Sequence, residues 1–141
     1  MKAFFDSSVL VPVFYGDHEH HDRSIAAFKK HPKAQASCGA HTLAEVYSAL
    51  TRMPGRHRIS AEQAILFVEN LRERLTVISL DAEEYWQGLK KYADLGVVGG
   101  TIYDAMLGHC ALKVKAETIY SWNTKHYEQL GPDIAKRLQT P

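Results

Sequence analysis

At 141 residues, with 45% hydrophobic, 23% charged and 10% aromatic content, the chain is sized for one globular domain (1–141) and is too apolar for a disordered tail or a collagen-like repeat. Lys+Arg 17 against Asp+Glu 16 leave a formal charge of +1. That balance does not demand a nucleic-acid partner, and it does not forbid one, because a local acidic site and a local basic rim can coexist on a near-neutral chain.

Cys38 and Cys110 are too few for a disulfide framework and show no Cys-x-x-Cys spacing, so they read as reduced core thiols of a cytoplasmic protein. The apolar run over 9–15 is too short to span a bilayer and contains Pro12, and Asp6 breaks the stretch that a secretion signal needs. Neither membrane insertion nor export is expected.

In chain order, strands alternate with helices. Residues 2–6 read as a short buried strand ending in an acid, followed by a helical segment and by a second one over 17–30 with Ile25, Ala26 and Phe28 on one face. Residues 34–38 form a weaker strand. Leu43, Val46, Tyr47 and Leu50 then give helical spacing, stopped by Pro54-Gly55. The clearest helix spans 60–74, with Ser60 and Gln63 as a capping box and Ile65, Leu66, Val68, Leu71 and Leu75 as its apolar stripe. Residues 76–80 form a buried strand, a helix opens at Asp81 and runs to about 95, and Gly96 to Gly100 break the chain. The spacing predicts a helix over 101–113 presenting Ile102, Ala105, Met106, His109 and Cys110 to the core, then a strand over 117–121 and a candidate edge strand over 137–140. Such alternation predicts an α/β fold with a parallel sheet covered on both faces. In these sheets ligands gather beyond the carboxyl ends of the strands.

Four polar residues fall where that rim should be. Asp6 ends the first strand, Glu45 lies in the first turn of the helix after the second, Asp104 lies in the first turn after Gly99-Gly100, and Asn123 follows the strand over 117–121. Clustered carboxylates raise one another's pKa unless a cation neutralises them. Hard oxygen ligands in an open site suit Mg²⁺ or Mn²⁺, the chemistry of metal-assisted phosphodiester hydrolysis. Each residue also fits a purely local role: Thr42 with Glu45 has capping-box spacing, Thr101 with Asp104 resembles it, and Asp6 and Asn123 stand where N-caps stand.

The ordered motifs Asp6-Ser7-Ser8-Val9-Leu10, Thr42-Leu43-Ala44-Glu45-Val46 with Ala49-Leu50-Thr51, Ile102-Tyr103-Asp104-Ala105-Met106-Leu107 and Ser121-Trp122-Asn123-Thr124-Lys125-His126-Tyr127 resemble the PIN-domain ribonucleases. Within that family the chain is most similar to the small VapC-type toxins, over essentially its whole length. The resemblance implies a three-layer α/β/α fold with a parallel four- or five-stranded sheet and Mg²⁺-dependent (or Mn²⁺-dependent) endoribonuclease activity. It places Asp6, Glu45 and Asp104 at the three acidic positions, with Asp6 and Asp104 as metal ligands and Ser7 and Ser121 in support. The fourth position is commonly Asp but is Asn123 here, and an amide brings an oxygen without charge, so one metal is expected. The resemblance also implies an RNA substrate, a cognate antitoxin and a homodimer. A non-catalytic PIN-like module that binds RNA or protein is the alternative, favoured by Asn123. A receiver-like signalling domain is weakened because its acceptor acid should follow a middle strand.

Arg52, Arg56 and Arg58, with His57, form a basic loop that suits a solvated surface and RNA phosphate contact equally. The run Asp17-His18-Glu19-His20-His21-Asp22 reads as a solvated helix turn rather than a transition-metal site. His109 reads as a satisfied core histidine, His126 as a cap or packing residue, and Trp122 as packing at the strand end, with base stacking as its alternative. Val11, Val13, Phe14, Tyr15 and Phe28 read mostly as core; the resemblance lays an antitoxin segment across them.

Overall fold

The computed structural model describes residues 1–141. In chain order the elements are β1 (Ala3–Phe5), α1 (Ser7–Phe14), α2 (His21–Lys29), β2 (Ala36–Gly39), α3 (Ala40–Arg52), α4 (Ala61–Arg74), β3 (Thr76–Ile78), α5 (Ala82–Asp94), α6 (Thr101–Lys113), β4 (Thr118–Tyr120), α7 (Thr124–Glu128), α8 (Pro132–Ala135) and β5 (Leu138–Gln139). The five strands form one sheet in the order β3-β2-β1-β4-β5, and every pairing is parallel.

Alternation along the short strands divides the core in two. Ala3, Phe5, Ala36, Cys38 and Tyr120 face one layer with Leu10, Phe28, Leu50 and Leu71. Phe4, Ile78 and Ile119 face the other, with Tyr92, Leu107, Tyr127 and Ile134. Phe5 is the hinge of the first layer, stacked on Tyr120 at 5.3 Å and edge-on to Phe28 at 6.1 Å. The expected α/β fold, with helices on both faces of a parallel sheet, is the observed one. Both cysteines are buried and free. No helix is long and apolar enough to cross a membrane.

The strand order reverses between β1 and β4, since the chain builds outward to β3 and then returns to the other side of β1. That reversal opens a crevice at the carboxyl ends of β1 and β4, the usual ligand position in an open parallel sheet. Asp6 and Ser121 stand directly at those two strand ends. On the β2 side, the turn into α3 passes so close to α6 that a Cβ on Gly39 would fall 2.6 Å from Leu107 Cδ2.

Several local expectations change. The box at the start of α4 is present, with Ser60 Oγ accepting from the Gln63 amide and Gln63 Oε1 accepting from the Ser60 amide, each at 3.2 Å. The buried face of α4 is Ala64, Val68 and Leu71, however, while Ile65 and Leu66 are 55% and 65% exposed. Apolar residues fill every position from 64 to 68, so periodicity alone could not choose the face; the i, i+4, i+7 set containing the small Ala64 is the one that docks. Helix α2 begins at His21 rather than at Asp17, because residues 15–20 close two turns (His18 N to Tyr15 O, His21 N to His18 O). Of the apolar set near the first helices, Tyr15 and Phe28 are core, and half-buried Phe14 packs edge-on to Phe67 at 5.1 Å.

These placements separate two leucines five residues apart. Leu71→Ala is expected to cost about 2–5 kcal/mol, because a fully buried side chain leaves a cavity. Leu66→Ala is expected to change stability by no more than about 0.5 kcal/mol. Urea midpoints of the two variants check the assignment of the buried face.

Candidate active site

Asp6 is only 4% exposed, yet both oxygens of its carboxylate are hydrogen-bonded. Oδ1 accepts from the Tyr127 hydroxyl at 2.7 Å, and Oδ2 accepts from the Ser121 hydroxyl at 3.0 Å and the Ser8 amide at 3.2 Å. The backbone amide of Asp6 donates to Tyr120 O, so β4 positions it as well. Asp6 therefore caps α1 and sits in the crevice at once; the two readings describe one arrangement. The network continues through Ser8 Oγ, which accepts from the Trp122 amide at 2.9 Å and lies 3.3 Å from Ser121 Oγ, and through Ser121 Oγ, which accepts from the Asn123 amide at 2.9 Å. The serine of the first helix that joins this network is Ser8. Ser7, the expected one, takes no part in this network, because the capping geometry turns the second helical residue toward the crevice. Tyr127 escapes sequence reading for a related reason: its partner lies 121 residues away.

Glu45 and Asp104 approach Asp6 from α3 and α6. Since α3 begins at Ala40 with Gly39 as N-cap, Glu45 lies in the second helical turn and forms no capping box with Thr42, whose buried hydroxyl has no partner. Glu45 is half-buried, one of its oxygens (Oε1) is buried without a donor, and burial together with the charges of Asp6 and Asp104 pushes its carboxyl up to about 7. Asp104 is likewise raised, first by burial and then by Asp6, an effect partly offset by His126, whose Nδ1 stands 3.5 Å from Asp104 Oδ2. Asp104 caps nothing: Gly100 is the N-cap of α6 and receives no side-chain bond. Burial and the neighbouring Asp6 charge hold the Tyr127 phenol well above its usual range, so it acts as a neutral donor. Asn123 stands at the N-cap position of α7, exposed, with its side chain making no capping bond.

Asp6, Glu45 and Asp104 thus share one electrostatic environment. They do not form a closed cage: no three His, Cys, Asp or Glu side chains are grouped as a ready metal site. Charges act over longer distances than ligation, so both observations hold together. The donor set fits a hard divalent cation: it offers carboxylate oxygens, one of them buried and unpartnered, and a mutual repulsion that a cation relieves.

The remaining expectations resolve residue by residue. The histidine-rich run is a clamp. His20 stacks on Trp122 at 3.7 Å and 9°, His21 Nδ1 is 2.8 Å from Pro12 O, His18 Nδ1 accepts from the His20 amide, and Asp17 pairs with His57 Nε2 at 2.8 Å. Residues 17–20 precede α2, and His21 and Asp22 open its first turn. Trp122 packs at the strand end, with Nε1 donating to buried Ser24 and the Arg23 guanidinium 5.2 Å from its ring. His126 faces Asp104 instead of packing or capping α7. His109 is half-buried and edge-on to Tyr92, and its Nδ1 is unpartnered, so it is not the satisfied histidine expected. The basic loop folds back on the turn that follows α1: Arg56 lies 3.9 Å from Asp17, Arg58 Nε donates to Met53 O, and the Tyr15 hydroxyl donates to His57 O. Arg52 is exposed near the end of α3, and none of the three arginines figures among the charges acting on Glu45 or Asp104.

Residues 3–129 match the family model of the PIN domain. Ribonuclease VapC27 of Mycobacterium tuberculosis is 34% identical over 132 residues, covering 92% of each chain. Ribonuclease VapC40 of the same species is 33% identical over 115 residues, covering 81% of each. Among solved structures, M. tuberculosis VapC20, described as a sarcin-ricin loop cleaving toxin, superposes with a TM-score of 0.70 at 14% identity, over 89% of this chain and 92% of that one. A toxin-antitoxin complex from Klebsiella pneumoniae gives 0.67 at 16% identity, over 99% and 97%. At those identities the structures speak for the fold, and the sequence matches speak for descent: the chain belongs to the PIN-domain family and resembles its VapC ribonucleases.

Proposed function

We propose that this protein is a Mg²⁺- or Mn²⁺-dependent endoribonuclease and the toxin of a toxin–antitoxin pair, with Asp6, Glu45, Asp104 and Asn123 as its active site. Glu45 carries the reading. A carboxyl with a buried, donorless oxygen and a pKa raised to about 7 is poorly explained as a structural group and well suited to exchanging a proton near neutral pH. The ribonuclease names of VapC27 and VapC40 support RNA as the substrate, and the Klebsiella complex supports an antitoxin as the partner. A homodimer and a cytoplasmic setting follow from the family resemblance.

A divalent cation held by Asp6 and Asp104 would supply Lewis acidity toward the scissile phosphate. The chain's own residues do the rest. Tyr127, Ser121 and the Ser8 amide fix both oxygens of Asp6, so the carboxylate needs no reorganisation during reaction. The Glu45 carboxylate accepts a proton from the attacking water. As the new P–O bond forms, the P–O3′ bond breaks, and the departing O3′ takes a proton from solvent water, leaving a 5′-phosphate and a 3′-hydroxyl. Asn123 orients through its amide without adding charge.

The direct test is cleavage of total RNA by the purified protein with and without Mg²⁺ or Mn²⁺, beside Asp6→Asn, which keeps an N-capping side chain. Metal-dependent cleavage lost in the variant is expected. No cleavage by the wild type under any divalent condition overturns the reading and leaves the non-catalytic alternative.

Two further outcomes follow. Asp104→Asn should slow single-turnover cleavage by at least ~10²-fold with little change in the urea midpoint, because Asp104 is not a cap, whereas Asn123→Ala should slow it less. Cleavage at the wild-type rate by Asp104→Asn removes that residue from the site.

The second concerns pH. Glu45 loses its proton near 4.5 in the unfolded chain and near 7 in the folded one, so the folded state binds more protons between those values. Its contribution is therefore fully present below about 4.5 and is lost as pH rises through 7. Glu45→Gln should melt higher than the wild type at pH 8, by an amount corresponding to about 1 kcal/mol once solvent screening of a half-buried group is allowed for, with the gap closing toward pH 4.5. Millimolar Mg²⁺ or Mn²⁺ should raise the wild-type Tm at pH 8 by mass action. Equal melting of the two proteins at pH 8 contradicts the shared electrostatic environment.

A further inference from the structure

Beside the carboxylates lies a cavity that the proposed chemistry does not use. It opens at the carboxyl ends of β2 and β3, holds about 360 Å³, and is walled by the start of α3, the end of β3, α5 and α6. That volume falls within the ~300–1,000 Å³ of small-molecule sites. Tyr85, Met106 and Leu107 contribute apolar surface, Ser79 brings a hydroxyl, and no Asp, Glu, Lys or Arg lines it. Its other aromatic members are His41 and Tyr103, near-parallel at 24° with ring centroids 6.1 Å apart. Both are exposed, Tyr103 at 62%.

The same two residues join the cavity to the acidic rim. His41 precedes Glu45 by one turn of α3, the i, i+4 spacing that places side chains on one face, and Tyr103 immediately precedes Asp104 on α6. We propose that this cavity receives a nucleobase of the RNA strand next to the bond that is cut, with Tyr103 and His41 as its stacking partners. The proposal rests on the ribonuclease reading above.

A nucleotide has two chemically distinct halves, and the two neighbouring sites divide in the same way. The phosphate is anionic and belongs with a cation-loaded carboxylate cluster. The base is flat, uncharged and π-faced, and it belongs in a cavity with aromatic members and no ionised group, where stacking gives affinity for single strands. A large tyrosine left mostly in water beside an open apolar cavity is accounted for if a second flat ring covers it. The cavity walls and the Ser79 hydroxyl then limit which base fits, making Tyr103 and His41 specificity residues for one nucleotide position.

The test uses Tyr103→Ala and His41→Ala, exposed positions at which melting temperatures should stay close to wild type. Fluorescence anisotropy in EDTA with labelled RNA octamers of A, of C, of U and of mixed G-containing sequence reads binding without cleavage. Tyr103→Ala is expected to weaken the best-bound octamer by about 5- to 100-fold while leaving the slope of log affinity against log salt unchanged, since stacking releases no counterions. With Mg²⁺ and a random RNA pool, sequencing of the products should show a base preference at one fixed position from the cut that both variants relax.

Unchanged octamer affinity together with an unchanged cleavage preference overturns the proposal. So does a change confined to the sedimentation of the free protein, which would assign this face to a second copy of the chain. If the wild type cleaves nothing, the nuclease reading falls alone: weaker octamer binding by Tyr103→Ala in EDTA still supports the cavity as a base site, and wild-type-like binding removes it.

Discussion

The structure turns on one buried carboxylate. Placing Asp6 at 4% exposure against the sheet would be prohibitive without hydrogen-bond donors, and the fold supplies them from three separate places: the first turn of α1, the end of β4 and helix α7. Those segments are consecutive in space only because the strand order reverses between β1 and β4. The switch point creates the crevice, and Asp6 stitches its two sides together. Losing any one donor would loosen the same junction from which the rest of the rim is measured.

Against that fixed acid, Glu45 and Asp104 are held differently. Neither caps its helix, and the donorless Oε1 of Glu45 contrasts with the two hydrogen-bonded oxygens of Asp6. Three acids brought together repel, and burial compounds the effect, so the folded chain carries an unfavourable electrostatic term near and above neutral pH. His126 relieves part of it at Asp104 from the solvent side. Sites that carry such strain in a fold otherwise well satisfied are where chemistry is expected.

Much of this was legible in the chain. Asp6, Ser121 and Asn123 could be placed because strands this short and apolar end sharply, and the residue following each end falls on the same rim. The layered sheet followed from the alternation of elements. What failed shares one cause: local pattern cannot rank faces or report distant partners. Ile65 and Leu66 lie within a run apolar at every position, so the choice of Ala64, Val68 and Leu71 is made by the layer beneath. Thr42 and Glu45 have capping-box spacing, but the helix had already begun two residues earlier at Ala40. Tyr127 donates to a residue 121 positions away, and Ser8 replaces Ser7 because the cap turns it toward the crevice. A phenol four residues beyond Asn123, on a helix that returns toward the first strand, was the available signal for Tyr127.

The histidine-rich corner shows how the chain stabilises the loop that carries Asn123, the proposed fourth site residue. Asn123 is exposed on a short connection, where an amide would be poorly oriented on its own. Its backbone N–H donates to Ser121 Oγ, and its neighbour Trp122 is covered by the ring of His20, approached by Arg23 and bonded to the buried Ser24 hydroxyl. Helix α2 and its preceding turn therefore brace the loop after β4 from outside, as Asp6 braces it from within. The backbone of Asn123 is thus held on both sides, while its exposed side chain makes no capping bond. In the proposed site an uncharged fourth position offers orientation rather than charge, and what the fold contributes to that is a fixed backbone at the rim.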